Sequence, residues 1–562
     1  MHDILIIGAG PAGLAVAARL REPTPSAVFT DAEHNRYQWI QKHSGRMNLR
    51  PRGHGAQRSK CSVVNNAGSG NRNDDDTAGI SHRLDIHVLD SSGPGWLHSW
   101  LANFAALGIS HLRSPMFFHP CPRDRDGLLA FAQETGRCGE CVEIANCVGK
   151  SMSKHRRRKK VAQGLEIGTT ARRRDKGAVA LEVDERDRKD YFTPSAGVFG
   201  DYCADVVGRY GLEDLVEETQ VASIDFGSDY GEVNLHHEDE IAKRIFKVTT
   251  TDGIIRFAKV VVLAIGAGGK PNMPRELSAV EKEGACHSTQ LPKQVFLAPS
   301  MMQKILKRAP TAVMIVGGGL TAGQIANQCI ENGVGHVFMV MRSALKLKPF
   351  DIDLDWMGKF QNVQKAAFWS ADSDEERLEM LLKARNGGSI PPRYFKKLQA
   401  HVASRSLSIH IHTTVLNQTW DHQRKSWNIE TDPPIADLPR EIDYIYYATG
   451  VRPDADCLPF LSPLRENFPI EVKGGLPCLT QDLAWAKEVP LFVAGRLAGL
   501  RIGPDCGNLE GARAGAERIS WAVEDVLEGW RPDGGEEADD EYHRLCQRVG
   551  SVNMYESLDD VE

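Results

Sequence analysis

The apolar positions of this chain gather into short unbroken runs, and most of those runs end at glycine. Ile4-Leu5-Ile6-Ile7, Val260-Val261-Val262-Leu263-Ala264, Val313-Met314-Ile315-Val316, Val337-Phe338-Met339-Val340-Met341, Tyr444-Ile445-Tyr446-Tyr447-Ala448 and Leu491-Phe492-Val493-Ala494 are each four or five residues long. Runs of that length, rich in β-branched and aromatic residues, read as strands covered on both faces, as in a parallel sheet sandwiched by helices. One long segment has a different period. From Gly507-Asn508 onward, apolar residues recur at Leu509, Ala512, Ala516, Ile519, Val523 and Val526, three or four apart, up to Gly529, which predicts an amphipathic helix. Phe246 to Phe257, with Asp252-Gly253 between, reads as an antiparallel connection.

Two of the strands open into glycine-rich turns that lead into helices. The first is Gly8-Ala9-Gly10-Pro11-Ala12-Gly13; the second is Gly317-Gly318-Gly319-Leu320-Thr321-Ala322. In such a turn the first glycine permits the bend, the second lets a diphosphate approach bare backbone, and the third position packs helix on strand. The helix start adds unpaired N–H groups and a positive dipole end. After the first turn, Ala27-Val28-Phe29-Thr30 ends in Asp31, placed to accept ribose hydroxyls and suited to FAD or NAD. After the second, His336 to Met341 ends in Arg342-Ser343, with Lys346 and Lys348 beyond, which is chemistry for the 2′-phosphate of NADPH. The sequence therefore predicts an α/β protein with two Rossmann-like dinucleotide-binding domains, one for FAD and one for NADPH, the NADPH domain inserted in the FAD domain. The expected division is 1–280 for the first part of the FAD domain, with loops 53–80 and 150–190 inserted. Residues 281–442 form the NADPH domain, 443–530 the second part of the FAD domain, and 531–562 an acidic tail.

Composition narrows the class. A chain of 562 residues holds more than one ordinary domain. Its net charge of −6 asks for neither nucleic acid nor an anionic membrane. No apolar run approaches the roughly twenty residues of a membrane span. The first strand begins near Asp3, leaving no room for a cleavable signal peptide and pointing to the cytosol. Twelve cysteines over this length read as ordinary usage and not as a disulfide framework. Asn65 to Asp76 is too polar to bury a core. The basic runs at Lys154–Lys160 and Arg172–Arg174 read as a solvated insertion.

With these motifs in place, the order of elements resembles that of the flavin-containing and N-hydroxylating monooxygenases: FAD turn, Ala264-Ile265-Gly266 strand end, NADPH turn, Ala448-Thr449-Gly450 strand end, C-terminal flavin strand and helix. A closer likeness is to the oxidative-stress-induced growth inhibitor proteins, in stretches such as His111-Leu112-Arg113-Ser114-Pro115, Asp184 to Tyr191 and Gly507 to Ala512. The resemblance implies that NADPH reduces FAD, that dioxygen adds at the flavin 4a position, and that the resulting peroxide transfers one oxygen atom to a small-molecule substrate, by heteroatom or carbon hydroxylation, as in a biosynthetic enzyme. It implies cofactor contacts from both turns, from Trp96 in Gly93-Pro94-Gly95-Trp96, from Thr449-Gly450 and Gly495-Arg496, and from the helix start at Asn508-Leu509. His287-Ser288 is the nearest match to the family's His-containing fingerprint and the candidate catalytic pair beside the nicotinamide, although Leu291 stands where an aromatic is usual.

Two other readings stay open. Cys138-Gly139-Glu140-Cys141 is a CxxC that suits a flavin disulfide reductase, but it lies beside the basic insertion, and Gly495-Arg496 replaces the Gly-Asp of the reductases. A redox-sensing regulatory protein could also keep both nucleotide folds without turnover. No metal site is expected: Cys138, Cys141 and Cys147 lack a fourth ligand, and Ile409-His410-Ile411-His412 reads as a strand with outward histidines.

Overall fold

The computed structural model describes residues 1–22, 84–145, 147, 188–227, 244–357 and 361–530. Asp31, the loop 53–80, the basic runs and the tail 531–562 lie outside the described residues.

Along the chain, β1 (His2–Ile7), α1 (Pro11–Arg21), β2 (Ile86–Asp90), β3 (Val216–Glu218), β4 (Val221–Gly227), β5 (Ile245–Thr250) and β6 (Ile255–Leu263) come first. Next are β7 (Ala285–His287), β8 (Ala312–Val316), α2 (Leu320–Glu331), β9 (His336–Met341), α3 (Asp374–Arg385) and β10 (Leu407–Ile411). A hairpin of β11 (Thr414–Asp421) and β12 (Ser426–Asp432) precedes β13 (Tyr444–Tyr447), and β14 (Ala484–Ala486), β15 (Val489–Val493) and α4 (Leu509–Glu528) finish the fold. The first sheet runs β14-β15-β6-β1-β2-β3, with β5 joined to β6 and β4 to β5. Its centre is parallel, with Ile7 opposite both Leu89 and Leu263. The second sheet, β10-β9-β8-β13-β7, is parallel throughout. All its strands lie in sequence between β6 and β14.

The apolar runs become strands because both faces are covered. Ile4, Leu5 and Ile6 are fully buried, as are Leu14 to Ala18 on α1 above them. Asp252-Gly253 makes the turn between β5 and β6, with Gly253 at φ +86°. The final helix buries Leu509, Ala512, Ala516, Ile519 and Val523. Its inward face also carries Arg513, Glu517 and Ser520.

Two expected boundaries move. Tyr444–Tyr447 pairs with β8 and β7. The second sheet therefore extends past residue 442, because β13 is the strand on which β8 completes its second edge. In the other direction, Phe350, Ile352, Trp356, Met357, Phe368, Leu381 and Ala384, all within the expected NADPH domain, bury themselves in the core of the first sheet. The long crossover from β9 to β10 thus leaves one domain to cover the other.

Helices α1 and α4 pack together across a buried ion pair. Arg19 Nε lies 2.5 Å from Glu517 Oε2 and its Nη2 lies 3.2 Å from Oε1, with both side chains under 5% exposed. Removing one partner of such a pair strands the other charge, which costs about 3–5 kcal/mol. Glu517→Gln should accordingly lower the denaturation midpoint of the protein by several degrees, measured by circular dichroism. A shift within one degree would show that the pair contributes little.

Candidate functional site

The site is built at the carboxyl ends of the parallel strands, where α/β sheets leave a crevice. At the first turn Gly8 has φ +110°, and a Cβ there would meet the Ala264 oxygen at 2.5 Å. A Cβ at Gly13 would meet the Gly8 oxygen at 2.0 Å. Between these two crowded glycines Gly10 is open, with nothing within 4 Å of its Cβ position. This is the pattern expected where a diphosphate approaches bare backbone at a helix start. Gly10 is the N-cap of α1 and Pro11 its first residue, with Ala12 next. A Cβ at Gly495, which has φ +76° and follows β15, would lie 3.5 Å from Ala12 Cβ.

Among the described residues, the acid at this turn is Asp90, which the sequence reading missed. β2 pairs directly with β1 and ends in that carboxylate; Asp31 lies outside the described residues. Asp90 Oδ2 accepts from Ala9 N at 2.6 Å, and Oδ1 accepts from Ser92 N at 2.7 Å. The signal was present in Ile86-His87-Val88-Leu89-Asp90, an apolar run ending in an acid, but it falls well beyond the usual spacing of about twenty residues. Trp96 follows closely. Leu97 N donates to Ala9 O at 2.8 Å, bringing this loop to the turn, while the Trp96 indole N–H is engaged by Leu212 O at 2.8 Å.

The second turn repeats the first. Gly317 lies at φ +149°, and its Cβ position meets the Ala448 oxygen at 2.4 Å, as Gly8 meets that of Ala264. Gly319 is the N-cap of α2, Leu320 and Thr321 begin the helix, and Ala322 is fully buried. Arg342 and Ser343 are exposed at the end of β9. The two lysines beyond are engaged elsewhere: Lys346 Nζ donates to Asn386 O at 2.7 Å, and Lys348 pairs with Asp353 at 3.1 Å. Arg342 has no ion-pair partner among the described residues.

His287 is opposite Tyr447 on the neighbouring strand, one step before Ala448-Thr449-Gly450. Its Nδ1 accepts from Thr289 N at 3.2 Å, which leaves Nε2 as the protonated nitrogen, and Nε2 is buried without a hydrogen-bond partner. Burial lowers its pKa, with the Gly450 backbone pulling the other way. A neutral imidazole with a free N–H is a donor, not a base. Thr449 Oγ1 is likewise buried and unpartnered. Two such atoms at this edge are what a polar ligand would satisfy, so the residues present fit a nicotinamide dinucleotide. Ser288 is half-buried, and no hydrogen bond joins it to His287.

At the third corner, the Asn508 side chain caps α4, accepting from Glu510 N at 3.0 Å and Gly511 N at 3.2 Å, with Leu509 as the first helical residue. Beside it Asp505 is 2% exposed and its Oδ2 has no hydrogen bond, the nearest cation being Lys365 at 3.7 Å. Burial pushes its carboxyl up to about 7, against the opposing pull of Lys365. Arg496 is half-buried, and burial lowers its pKa, helped by Arg385. Cys138 begins a short helical turn that ends at Glu140, with Arg137 before it and Cys141 after it. The Cys141 thiol is raised by burial and by the neighbouring Cys138 and Glu140, the wrong direction for a reactive thiolate. His410 is not simply outward: its ring stacks on Phe338, 6.1 Å between centroids, and its Nε2 is buried. Among the described residues no cluster suits a metal ion, and no helix is long and apolar enough to cross a membrane.

Residues 214–452 match the L-lysine 6-monooxygenase/L-ornithine 5-monooxygenase family. No curated protein sequence matches the chain. Among solved structures, ornithine hydroxylase from Pseudomonas aeruginosa aligns at a TM-score of 0.56 and 15% identity, over 94% of this chain and 99% of its own. L-lysine 6-monooxygenase from Pseudomonas syringae aligns at 0.54 and 17%, over 94% and 100%. The cadaverine monooxygenase of desferrioxamine biosynthesis from Erwinia amylovora aligns at 0.55 and 13%, over 96% and 97%. At these identities the likeness establishes the fold.

Two outcomes follow from the geometry. Gly10→Ala adds a methyl where nothing is in contact, so the apoprotein should melt as the parent does, while FAD affinity measured by fluorescence falls by roughly tenfold or more, ~1.4 kcal/mol. Unchanged FAD affinity would remove Gly10 from the site. For Asp505, the folded protein holds a proton that the unfolded chain releases between about 3.8 and about 7, so its contribution to stability falls as pH rises through that window. Asp505→Asn should flatten the decline in unfolding midpoint between about pH 4 and about pH 7; an unaltered slope would assign the decline to other groups.

Proposed function

We propose that this chain, whose residues 214–452 match the L-lysine 6-monooxygenase/L-ornithine 5-monooxygenase family, is an FAD- and NADPH-dependent monooxygenase that hydroxylates the nitrogen of a small amine. The family match is the observation that carries the reading, because it spans the second turn and the Ala448-Thr449-Gly450 strand end. Gly8, Gly10 and Gly13 with the start of α1 would hold the FAD diphosphate, and Asp90 would accept the adenosine ribose hydroxyls. Gly317, Gly319 and the start of α2 would hold the NADPH diphosphate, with Arg342 and Ser343 toward its 2′-phosphate. His287 Nε2–H and Thr449 Oγ1 offer a donor and an acceptor for the nicotinamide half. The start of α4, capped by Asn508, presents a positive dipole end that favours negative charge on a reduced flavin. Bound FAD, once reduced by NADPH, supplies the oxygen activation that no side chain can. The protein's own part is to align the two cofactors and keep water out.

The structural relatives act on ornithine, lysine and cadaverine, so primary amines of that size are the first substrates to try. The finer likeness to oxidative-stress-induced growth inhibitor proteins rests on segments such as Gly507 to Ala512, where Gly511 is required: its Cβ would meet the Asp505 oxygen at 2.2 Å. On this reading the enzyme works on a small metabolite and dioxygen.

The test is paired measurement of NADPH oxidation and dioxygen uptake on the purified yellow protein with an amine panel, followed by detection of hydroxylamine. Equal consumption of NADPH and dioxygen with hydroxylamine formed is the expected result, unaltered in a Cys138→Ser, Cys141→Ser double variant. NADPH oxidation that requires a disulfide and no dioxygen would replace this reading with the reductase. FAD and NADP⁺ binding without turnover on any amine would favour the sensor.

A further inference from the structure

The two turns differ in one respect that their shared pattern does not explain. Gly10 is open, whereas Gly319, its counterpart as the N-cap of α2, is covered. The cover is the backbone of Gly388: a Cβ there would lie 3.0 Å from Gly319 Cα and 3.2 Å from Gly319 N. Gly388 belongs to a short strap, Asn386-Gly387-Gly388-Ser389, that follows α3 and starts with two left-handed residues, Asn386 at φ +47° and Gly387 at φ +76°. Among the described residues, the backbone N–H groups of Gly387, Gly388 and Ser389 have no acceptor.

The strap is pinned from both sides. Within its own crossover, Lys346 Nζ holds the Asn386 oxygens at 2.7 and 2.9 Å, and Ile390 pairs with Leu347 through Ile390 N to Lys346 O at 2.9 Å. From the flavin side comes Arg113. Its Nη1 donates to Ser389 O at 3.2 Å, and its Nη2 donates to Ser389 Oγ at 2.8 Å, Lys348 O at 3.0 Å and Phe350 O at 2.5 Å. Its Nε donates to Pro349 O at 3.3 Å. Every one of these acceptors is a carbonyl or hydroxyl, and none is a carboxylate. A guanidinium buried without a direct anionic partner is costly, and its rigid fork of donors is suited to fixing several carbonyls in one geometry.

We propose that Arg113 is a positioning residue for the nicotinamide dinucleotide: from the flavin domain it holds the Gly387-Gly388 strap against Gly319, so that the strap's free N–H groups complete the diphosphate site begun by α2. The proposal rests on the NADPH reading given above. It assigns the strap to the diphosphate and not to the adenosine end, because contact is with Gly319, whereas Arg342 and Ser343 stand at the end of β9. Gly388 is required for its lack of a Cβ, which lets two backbones touch.

Binding of NADP⁺ and of adenosine 2′-monophosphate to the FAD-loaded full chain, by isothermal titration calorimetry, tests this. Adenosine 2′-monophosphate has the 2′-phosphate but no diphosphate. Arg113→Met and Gly388→Ala should each weaken NADP⁺ by roughly tenfold, leave adenosine 2′-monophosphate within about twofold, and keep FAD content; Arg113→Lys should restore part of the loss. Equal weakening of both ligands would show a merely structural role and overturn the proposal. Unchanged NADP⁺ affinity in either variant would also overturn it, since clamp and strap must act together. Failure of the parent protein to bind either ligand would sink the NADPH reading itself, and the proposal with it.

Discussion

The contact on which the rest of the site depends is the buried pair of Arg19 and Glu517. It sits between α1 and α4, the two helices whose starts carry the open backbone at Gly10 and the Asn508 cap. A buried pair adds little to net stability once desolvation is counted, but it penalises any register in which either charge lacks its partner. The surrounding residues permit the close approach that the pair requires: Ala15 and Ala18 on α1, and Ala512, Gly515 and Ala516 on α4, are small and buried. Arg19 Nη1 also donates to Glu22 O at 2.9 Å, so the same guanidinium closes the end of α1. With the helices locked, the open backbone at Gly10 and the capped start at Asn508 have fixed positions relative to the first sheet.

The second constraint is used twice. In both sheets the strand beside the glycine turn ends in alanine, and the alanine oxygen occupies the space a Cβ would need at Gly8 or Gly317. That pairing explains why Ala264 and Ala448 precede Gly266 and Gly450, both of which have open Cβ positions and positive φ. The two chain crossings between the sheets also pair with one another. Pro271 bridges Val451, Asp454 N donates to Gly268 O at 3.2 Å, and a Cβ at Gly269 would meet the Arg452 oxygen at 1.8 Å. The junction is therefore a two-stranded strap in its own right, and domain alignment is set by backbone contact at glycines.

The elements legible in the sequence are those whose cause is local. Strand runs, glycine turns, the Asp252-Gly253 hairpin and the Asn508 cap each depend on residues within a few positions, and the chain folds there as its pattern states. What was misread depends on contacts across the molecule. Asp31 satisfies a spacing rule that assumes nothing intervenes between α1 and the next strand, and it lies outside the described residues; Asp90 escaped notice because Ile86–Asp90, which pairs with β1, comes far beyond that spacing. The run Tyr444–Tyr447 reads as a strand anywhere, but its neighbours β8 and β7 lie more than a hundred residues upstream. Likewise, nothing local tells that Phe350 or Phe368 covers the first sheet and not the second, or that Lys346 and Lys348 are drawn away from a phosphate by Asn386 and Asp353.

The covered second turn and the open first turn make sense together under the proposed function. A cofactor that stays bound needs a cradle complete in the folded chain, and on that reading Gly8, Gly10 and Gly13 would provide it with backbone of their own domain, Ala264 included. A cofactor that comes and goes has a different requirement: its binding must report on the alignment of the two domains, or reduction would occur with the rings misplaced. Donors contributed by one domain alone would bind it equally well in any alignment. A strap fixed to the flavin side through Arg113, yet touching Gly319, makes part of the binding energy conditional on the domains being in register. The same logic accounts for carbonyls as the partners of Arg113. A carboxylate would hold the guanidinium as a strong local ion pair, whereas four carbonyls and a hydroxyl distribute its hold over both sides of the loop, and the geometry of that loop, not the charge, is what Arg113 secures.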